Sequence, residues 1–300
     1  MICDKTTMRL KDHFDWGTRT YVMGVLNITP DSFSGDGLGK AGGDTAVRAV
    51  EQARQFAAAG ADILDIGGES TRPGAAPLAA EAERARAVPV IAAVRAAIPD
   101  MPISVDTYRA AVAEAALDAG ADIVNDVWGL RADPELGPLV AARGTPVVLM
   151  HNRSDPGHVE IDGRLGGQYM APRYDDLFGE IAADLSTLVA DARAAGIDAE
   201  QIVLDPGLAF GKGVDQNLSL INNLDRLKDL GFPLLVGPSR KSFIGQILDL
   251  PVGERVEGTA AAVAIAIARG ADIVRVHDVT EMVRVARMTD AILRASPDGE

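Results

Sequence analysis

The segment from Gly270 to Val279, GADIVRVHDV, ends an apolar run with a permanent cation and a histidine. Ile273 and Val274 are typical of a buried β-strand. Because successive side chains of a strand point to opposite faces, we expect Arg275 and His277 to lie on the same side. A guanidinium beside an imidazole can hold an anion such as phosphate. The segment therefore predicts an anion site at the end of a strand.

Polar residues also close the other seven strand-like segments of the chain. They are Asn27, Glu69 to Arg72, Asp106, Asn125 with Asp126, His151 with Asn152, Asp205, and Ser239 to Lys241. One such residue could be a satisfied buried polar group, but eight strands ending in this way favour a binding site. Asp106, Asn125 and Asp205 can exchange hydrogen bonds with a flat, nitrogen-rich heterocycle, because a carboxylate accepts from two adjacent N–H groups. With Arg72, Arg275 and His277 available for an anion, the pattern predicts a ligand that is heterocyclic at one end and anionic at the other.

A repeated phrase indicates how these residues are positioned. AGADILDIG begins at Ala59, AGADIVNDV at Ala119 and RGADIVRVHDV at Arg269. In each copy a helical stretch ends in glycine, which favours the left-handed conformation of a helix C-terminus, and a strand follows. The repetition predicts one architecture built from several similar units.

Eight strands and several alanine-rich helices can be assigned on this basis. The predicted strands are 21–29, 62–67, 102–107, 123–128, 146–152, 202–207, 233–239 and 272–278, and the predicted helices are 44–59, 78–98, 110–119, 174–195, 216–230 and 254–269. Most strands begin as continuous apolar runs, as parallel strands covered on both faces do. The alternation favours a single α/β domain, a (β/α)8 TIM barrel over residues 21–300 after an N-terminal extension of residues 1–20. A doubly wound open sheet is the alternative. In a barrel, the active site lies at the ends where the polar residues occur.

Composition narrows the possible partners and compartment. The 300 residues carry 43 acidic and 29 basic side chains, a net charge of -14, which disfavours nucleic acid and anionic membrane as partners. The only cysteine, Cys3, excludes an intramolecular disulfide, and the charged N-terminus is unlike a signal peptide. We therefore expect a cytoplasmic protein without a membrane span. The four histidines lack the spacing of zinc ligands.

Several motifs in order along the chain resemble those of the dihydropteroate synthase family. They are VMGVLNITPDSFSGDG, ADILDIGGESTRPGA, ISVDT, VNDV, LDPGLAFGK, LLVGPSRKSFIG and GADIVRVHDV, from about Tyr21 to Asp278. The resemblance implies an enzyme of folate biosynthesis that joins 7,8-dihydropterin-6-ylmethyl diphosphate to 4-aminobenzoate and releases diphosphate. It also implies a homodimer.

The resemblance assigns roles to particular residues. It places the pterin at Asp106, Asn125, Asp205 and Lys241; the diphosphate at Asn27, Arg275 and His277, with Mg2+ at Asn27; and 4-aminobenzoate near Thr71, Arg72, Pro73, Phe210 and Ser242. Asn27, Lys241, Arg275 and His277 would be the catalytic groups. Ala209, where the family more often has glycine, is a departure that adjoins the proposed 4-aminobenzoate pocket.

Two other functions share parts of this pattern. A pterin-binding methyltransferase domain has a similar barrel and pterin cradle but has no need of the SRK and RVH segments to hold a diphosphate. A non-catalytic relative would bind pterins and lose the residues that bind the anion. Because the cradle and the cationic residues are both present, the sequence favours the synthase.

Overall fold

The computed structural model describes residues 8–28, 43–71, 74–155, 158–162, 164–170 and 172–295. Ten strands occur within these ranges: β1 (Tyr21–Asn27), β2 (Ile63–Gly67), β3 (Ile103–Asp106), β4 (Ile123–Asp126), β5 (Val147–Met150), β6 (Val159–Asp162), β7 (Gly166–Tyr169), β8 (Ile202–Asp205), β9 (Leu235–Val236) and β10 (Ile273–Val276). Eight of them form one parallel sheet, while β6 and β7 form a separate antiparallel hairpin.

The eight-stranded sheet closes on itself as a barrel. Its strand order is β8-β5-β4-β3-β2-β1-β10-β9, and every pair in it is parallel. A single bridge between Leu204 and Leu234 joins the two ends, β8 and β9. This order confirms the predicted (β/α)8 barrel and excludes the open sheet.

Helices cover the outside of the barrel. Within the described ranges they are α1 (Leu10–His13), α2 (Gly43–Ala59), α3 (Ala80–Ala97), α4 (Ala110–Ala119), α5 (Leu136–Arg143), α6 (Leu177–Ala194), α7 (Val214–Asn222), α8 (Ser242–Leu248), α9 (Val256–Ala268) and α10 (Val279–Leu293). None of these helices is long and apolar enough to cross a membrane.

The glycine of each repeated GAD segment has the left-handed backbone conformation expected at the end of a helix. Gly60, Gly120 and Gly270 follow α2, α4 and the end of α9, with φ angles of 100°, 115° and 95°. A residue with a Cβ rarely adopts this left-handed conformation, so glycine ends each helix and the chain turns directly into the next strand. Each of the three copies therefore leads directly from a helix into a strand of the barrel, namely β2, β4 and β10.

Two sequence predictions differ most from the structure. The predicted strand 233–239 is reduced to β9, because Pro233 and Pro238 have no N–H group to donate to a strand ladder. The predicted helix 216–230 is α7 followed by a 3₁₀ segment, Leu224–Leu230. The backbone N–H and the side-chain amide of Asn223 both donate to the Ser219 carbonyl, which ends α7.

Alternation along the strands separates two apolar regions. Val274 and Val276 belong to the large core between the strands and the helices, whereas Ile273 belongs to a smaller cluster inside the barrel. Leu10 and Phe14 join this inner cluster, so the described part of the N-terminal extension packs against the barrel. The same alternation directs Arg275 to the inside, as the sequence predicted.

Candidate active site

A cavity of about 410 Å³ opens at the C-terminal ends of the strands. Among the residues that line it are the predicted site residues Asn27, Thr71, Asp106, Phe210, Lys241, Ser242, Arg275 and His277. Asn125 and Asp205 are buried at the ends of β4 and β8. Arg72 and Pro73 lie outside the described residues, so their assignment stays a prediction.

Arg275 is bound to two carboxylates inside the barrel. Its Nε donates to Asp65 Oδ2 and its Nη2 to Asp106 Oδ2, each at 2.6 Å. Burial disfavours the charged guanidinium, but the two carboxylates outweigh this effect and raise the pKa of Arg275. Burial also raises the pKa of Asp106 to about 7, although Arg275 opposes the change. The two carboxylates therefore fix the guanidinium of Arg275 at the wall of the cavity.

Asp65 is a site residue that sequence reasoning missed. It is fully buried, and its Oδ2 also accepts a hydrogen bond of 3.1 Å from Asn125 Nδ2. A carboxylate in the middle of the apolar strand DILDIG was the available signal, because it points to the same side as Ile63. Asp278, three residues after Arg275 in the chain, accepts instead from Arg240 Nε at 3.0 Å.

Asp205 shares the interior of the barrel with these groups. Its Oδ1 accepts from the backbone N–H of Gly207 at 2.7 Å, and burial raises its pKa. Asp106, Asn125 and Asp205 thus combine two carboxylates and an amide at one end of the barrel. These are the groups required to exchange hydrogen bonds with a heterocycle rich in N–H groups.

Lys241 also lines the cavity. Its Nζ donates to the Leu208 carbonyl at 3.1 Å and lies 4.3 Å from the centre of the Phe210 ring. This is the geometry of a cation–π contact. Burial lowers the pKa of Lys241 to about 8. An ammonium so placed can meet both an aromatic ligand and an anionic one.

The departure at Ala209 has a conformational consequence. Ala209 has a φ angle of 67°, in the left-handed region, which explains why glycine suits this position. An alanine there costs about 1–2 kcal/mol. Its backbone N–H donates to Asn217 Oδ1 at 2.7 Å, which helps to hold the strained loop between β8 and α7.

A buried lysine, Lys212, holds the same loop, and sequence reasoning did not select it. Lys212 Nζ lies 2.9 Å from both the Gly207 carbonyl and His151 Nδ1, and 3.1 Å from the Phe210 carbonyl. Burial lowers the pKa of His151 to about 3, so the ring is neutral, and it also lowers the pKa of Lys212 to about 7. The Nδ1 of the neutral ring accepts from the protonated form of Lys212. The three N–H groups of Lys212 are thereby used to fix the carbonyls around Phe210.

His277 and Asn27 complete the polar end of the cavity. The backbone N–H of His277 lies 3.1 Å from Ser239 Oγ, and its Nδ1 lies 3.0 Å from the same hydroxyl. Asn27 ends β1, which pairs with β10, the strand that carries Arg275. A cation, an imidazole and a carboxamide therefore meet on neighbouring strands, in an arrangement suited to an anion.

Arg255 is a buried arginine that sequence reasoning missed. Its five N–H groups make five hydrogen bonds of 2.8–3.3 Å to the carbonyls of Leu165, Arg240, Lys241 and Leu250. No carboxylate is among these acceptors. Arg255 therefore fixes the backbone on which Lys241 and Ser242 stand.

Comparison with known proteins agrees with this geometry. The family model described as pterin binding enzyme matches residues 23–277. The barrel and its polar cavity are thus those of a pterin-binding enzyme.

Individual relatives identify the family within the pterin-binding enzymes. The dihydropteroate synthase of Synechocystis sp. is 49% identical over 282 residues, which cover 94% of this chain and 93% of that protein. The structure of dihydropteroate synthase from Clostridium difficile in the presence of pteroic acid has a TM-score of 0.84 and 43% identity, covering 94% of this chain and 99% of that one. The Xanthomonas albilineans dihydropteroate synthase with 4-aminobenzoic acid has a TM-score of 0.83 and 40% identity, covering 93% and 94%. The chain belongs to the dihydropteroate synthase family.

Proposed function

We propose that the protein condenses 7,8-dihydropterin-6-ylmethyl diphosphate with 4-aminobenzoate to give 7,8-dihydropteroate and diphosphate, a step of folate biosynthesis. The observation that carries the proposal is that one cavity joins three kinds of group. Buried hydrogen-bonding residues lie at the strand ends, and cationic residues and the aromatic ring of Phe210 line the cavity. The relatives and solved structures named above support the same reaction.

The pterin is assigned to the inner end of the cavity. Asp106 and Asp205 accept hydrogen bonds from the N–H groups of the heterocycle, and Asn125 can both donate and accept. Arg275 keeps Asp106 oriented through its 2.6 Å contact. Lys241, the remaining residue of this cradle, approaches from the side of Phe210.

The diphosphate is assigned to Arg275 and His277. In the reaction the bond between the pterin methylene carbon and the diphosphate oxygen breaks, and its electron pair leaves with the diphosphate. Cationic groups placed at the leaving oxygens stabilise this developing charge. The lone pair of the arylamine nitrogen then forms the new C–N bond, and the nitrogen loses a proton. No protein nucleophile is required.

Mg2+ is proposed as the cofactor, with Asn27 as its protein ligand. A carboxamide oxygen is a hard donor of the kind that Mg2+ prefers, and Mg2+ commonly combines one or two protein ligands with substrate phosphates and water. No group of three or more His, Cys, Asp or Glu side chains that could hold a metal occurs in the described ranges, which suits a metal that arrives with the diphosphate. When bound, Mg2+ would neutralise part of the leaving charge.

4-Aminobenzoate is assigned to the outer part of the cavity. Thr71, Phe210 and Ser242 line this part, and the Xanthomonas albilineans relative was solved with 4-aminobenzoic acid. The Phe210 ring offers an apolar face to the benzene ring. Arg72 and Pro73 are assigned to the same subsite from the sequence alone.

The protein is further proposed to act as a cytoplasmic homodimer. Large apolar side chains are exposed on the outer helices, with Leu218 on α7, Ile265 on α9 and Met288 on α10 exposed by 41%, 46% and 63%. Such side chains on neighbouring helices support self-association. Sedimentation velocity would show a species of twice the 31.4 kDa chain mass if the proposal is correct.

One assay tests the reaction and separates the alternatives. Diphosphate release is measured with the pterin diphosphate, with and without 4-aminobenzoate and Mg2+. The synthase requires all three components, and 7,8-dihydropteroate appears in equal amount. Pterin binding without diphosphate release would instead identify a non-catalytic relative. A methyltransferase domain would bind a methylated folate and release no diphosphate.

A further inference from the structure

The connection between β5 and α6 contains the hairpin of β6 and β7, which the sequence did not predict. Its strands pair from Val159 with Tyr169 to Asp162 with Gly166. Strand β6 is largely exposed, whereas β7 is half-buried along its length. Gly166, Gly167 and Tyr169 of β7 line the cavity. The hairpin thus has an outer strand in solvent and an inner strand at the active site.

The hairpin is attached to the region around α8. Arg255 Nη2 donates to the Leu165 carbonyl at 2.8 Å, and Gln246 Nε2 donates to Gln168 Oε1 at 2.5 Å. Arg164 Nη1 donates to the Asp249 carbonyl at 2.8 Å. These bonds fix the turn and the inner strand relative to Lys241 and Ser242.

Tyr169 joins the hairpin to the opposite side of the cavity. Its hydroxyl donates to the Thr71 carbonyl at 3.2 Å, and burial raises its pKa, so the phenol stays neutral. Its ring lies 6.0 Å from the Phe210 ring at an angle of 28°. Tyr169 therefore contacts two of the residues assigned to 4-aminobenzoate while its own ring faces the cavity.

We propose that Tyr169 forms a wall of the arylamine subsite and that the β6–β7 hairpin determines which aromatic amines the enzyme accepts. This inference rests on the proposed function. The Tyr169 and Phe210 rings pack on each other, so a ligand ring would lie against the side of this pair, where it can make offset or edge contacts with both. Gly166 and Gly167 have no side chains, so the strand beside Tyr169 leaves space for a flat ligand.

The test uses steady-state kinetics of the full chain with Tyr169→Ala, Tyr169→Phe and Tyr169→Leu. Tyr169→Ala should raise the KM for 4-aminobenzoate about tenfold and leave the KM for the pterin diphosphate within about twofold. Tyr169→Phe keeps the ring and should raise the KM for 4-aminobenzoate about two- to threefold. Tyr169→Leu retains apolar volume and serves if the alanine variant is unstable. The matched control is Glu160→Gln on the exposed strand β6, which keeps an acceptor for Gln168 Nε2 and should leave both KM values unchanged.

A second readout measures specificity directly. Tyr169→Ala should increase the ratio of kcat/KM for ring-substituted 4-aminobenzoates to that for 4-aminobenzoate, because the removed side chain leaves room for the substituent. Equal rises in both KM values, or an unchanged KM for 4-aminobenzoate in an active Tyr169→Ala enzyme, would overturn the assignment. Absence of diphosphate release in the wild-type protein would instead refute the proposed function, so the two failures are distinguishable.

Discussion

Replacing Arg275 by methionine should destabilise the fold as well as weaken ligand binding. Methionine retains an apolar stem and removes the guanidinium, which leaves Asp65 and Asp106 without their cation. The side chain of Asp65 is fully buried and that of Asp106 is 7% exposed. Removal of one partner from a buried ion pair costs about 3–5 kcal/mol. Two charge-assisted hydrogen bonds of about 1.5–3 kcal/mol each give a similar sum.

Urea denaturation measures this loss through the transition midpoint. The control is Lys11→Met, which breaks an ion pair with Glu200 between side chains exposed by 53% and 64% and should leave the transition midpoint nearly unchanged. Adding Asp65→Asn to Arg275→Met removes one of the two carboxylates that the first substitution leaves without a cation. The free energy of unfolding should then recover by about 1–3 kcal/mol. A coupling energy below about 0.5 kcal/mol in this double-mutant cycle would refute the buried ion-pair reasoning.

Ligand binding tests the second role of Arg275. Calorimetry should show that Arg275→Met weakens binding of the pterin diphosphate about a hundredfold or more, since the cation next to the leaving group is lost. The pterin alcohol, which lacks the diphosphate, should lose less than about tenfold, through the altered orientation of Asp106. Equal losses for both ligands would show that Arg275 acts only as a structural partner of the carboxylates.

Three further predictions follow from the cavity. Asp205→Asn removes a charge-assisted acceptor worth about 1.5–3 kcal/mol, so calorimetry should show pterin affinity about tenfold to a hundredfold lower, and an unchanged affinity would contradict the cradle assignment. Pterin diphosphate affinity should rise as Asp106 ionises near pH 7 and fall as Lys241 loses its proton near pH 8. Lys241→Met should lower the affinity and abolish the fall at high pH. If the fall persists in this variant, another group causes it. Lys212→Met leaves two carbonyls and His151 without a donor, so the free energy of unfolding in urea should drop by about 2–4 kcal/mol and the KM for 4-aminobenzoate should rise; an unaltered transition midpoint would contradict this role.

Strand periodicity made much of this site predictable. The alternation that directs Ile273 and Arg275 inward also brings Asp106 and Asn125 to the same end of the barrel. Pairing across the barrel was not predictable, because Arg275 and Asp65 are 210 residues apart in the chain and many carboxylates were available. The hairpin carrying Tyr169 also lacked a signal, since its strands are short and β7 consists of two glycines, a glutamine and a tyrosine. Local patterns thus predicted the strands and their polar ends, whereas the contacts between distant segments required the fold.

The two-residue length of β9 has a consequence for how the site opens. β9 pairs with β10 at Leu235 and Val236, and one bridge at Leu234 joins it to β8. Segments with few backbone bonds open locally at lower free energy than the whole protein. We expect the amides of β9 to exchange with deuterium sooner than those of β2, which is paired along both edges. Since Asp205 and Lys241 lie on opposite sides of this seam, its opening would separate the two halves of the pterin site while the rest of the barrel stays folded.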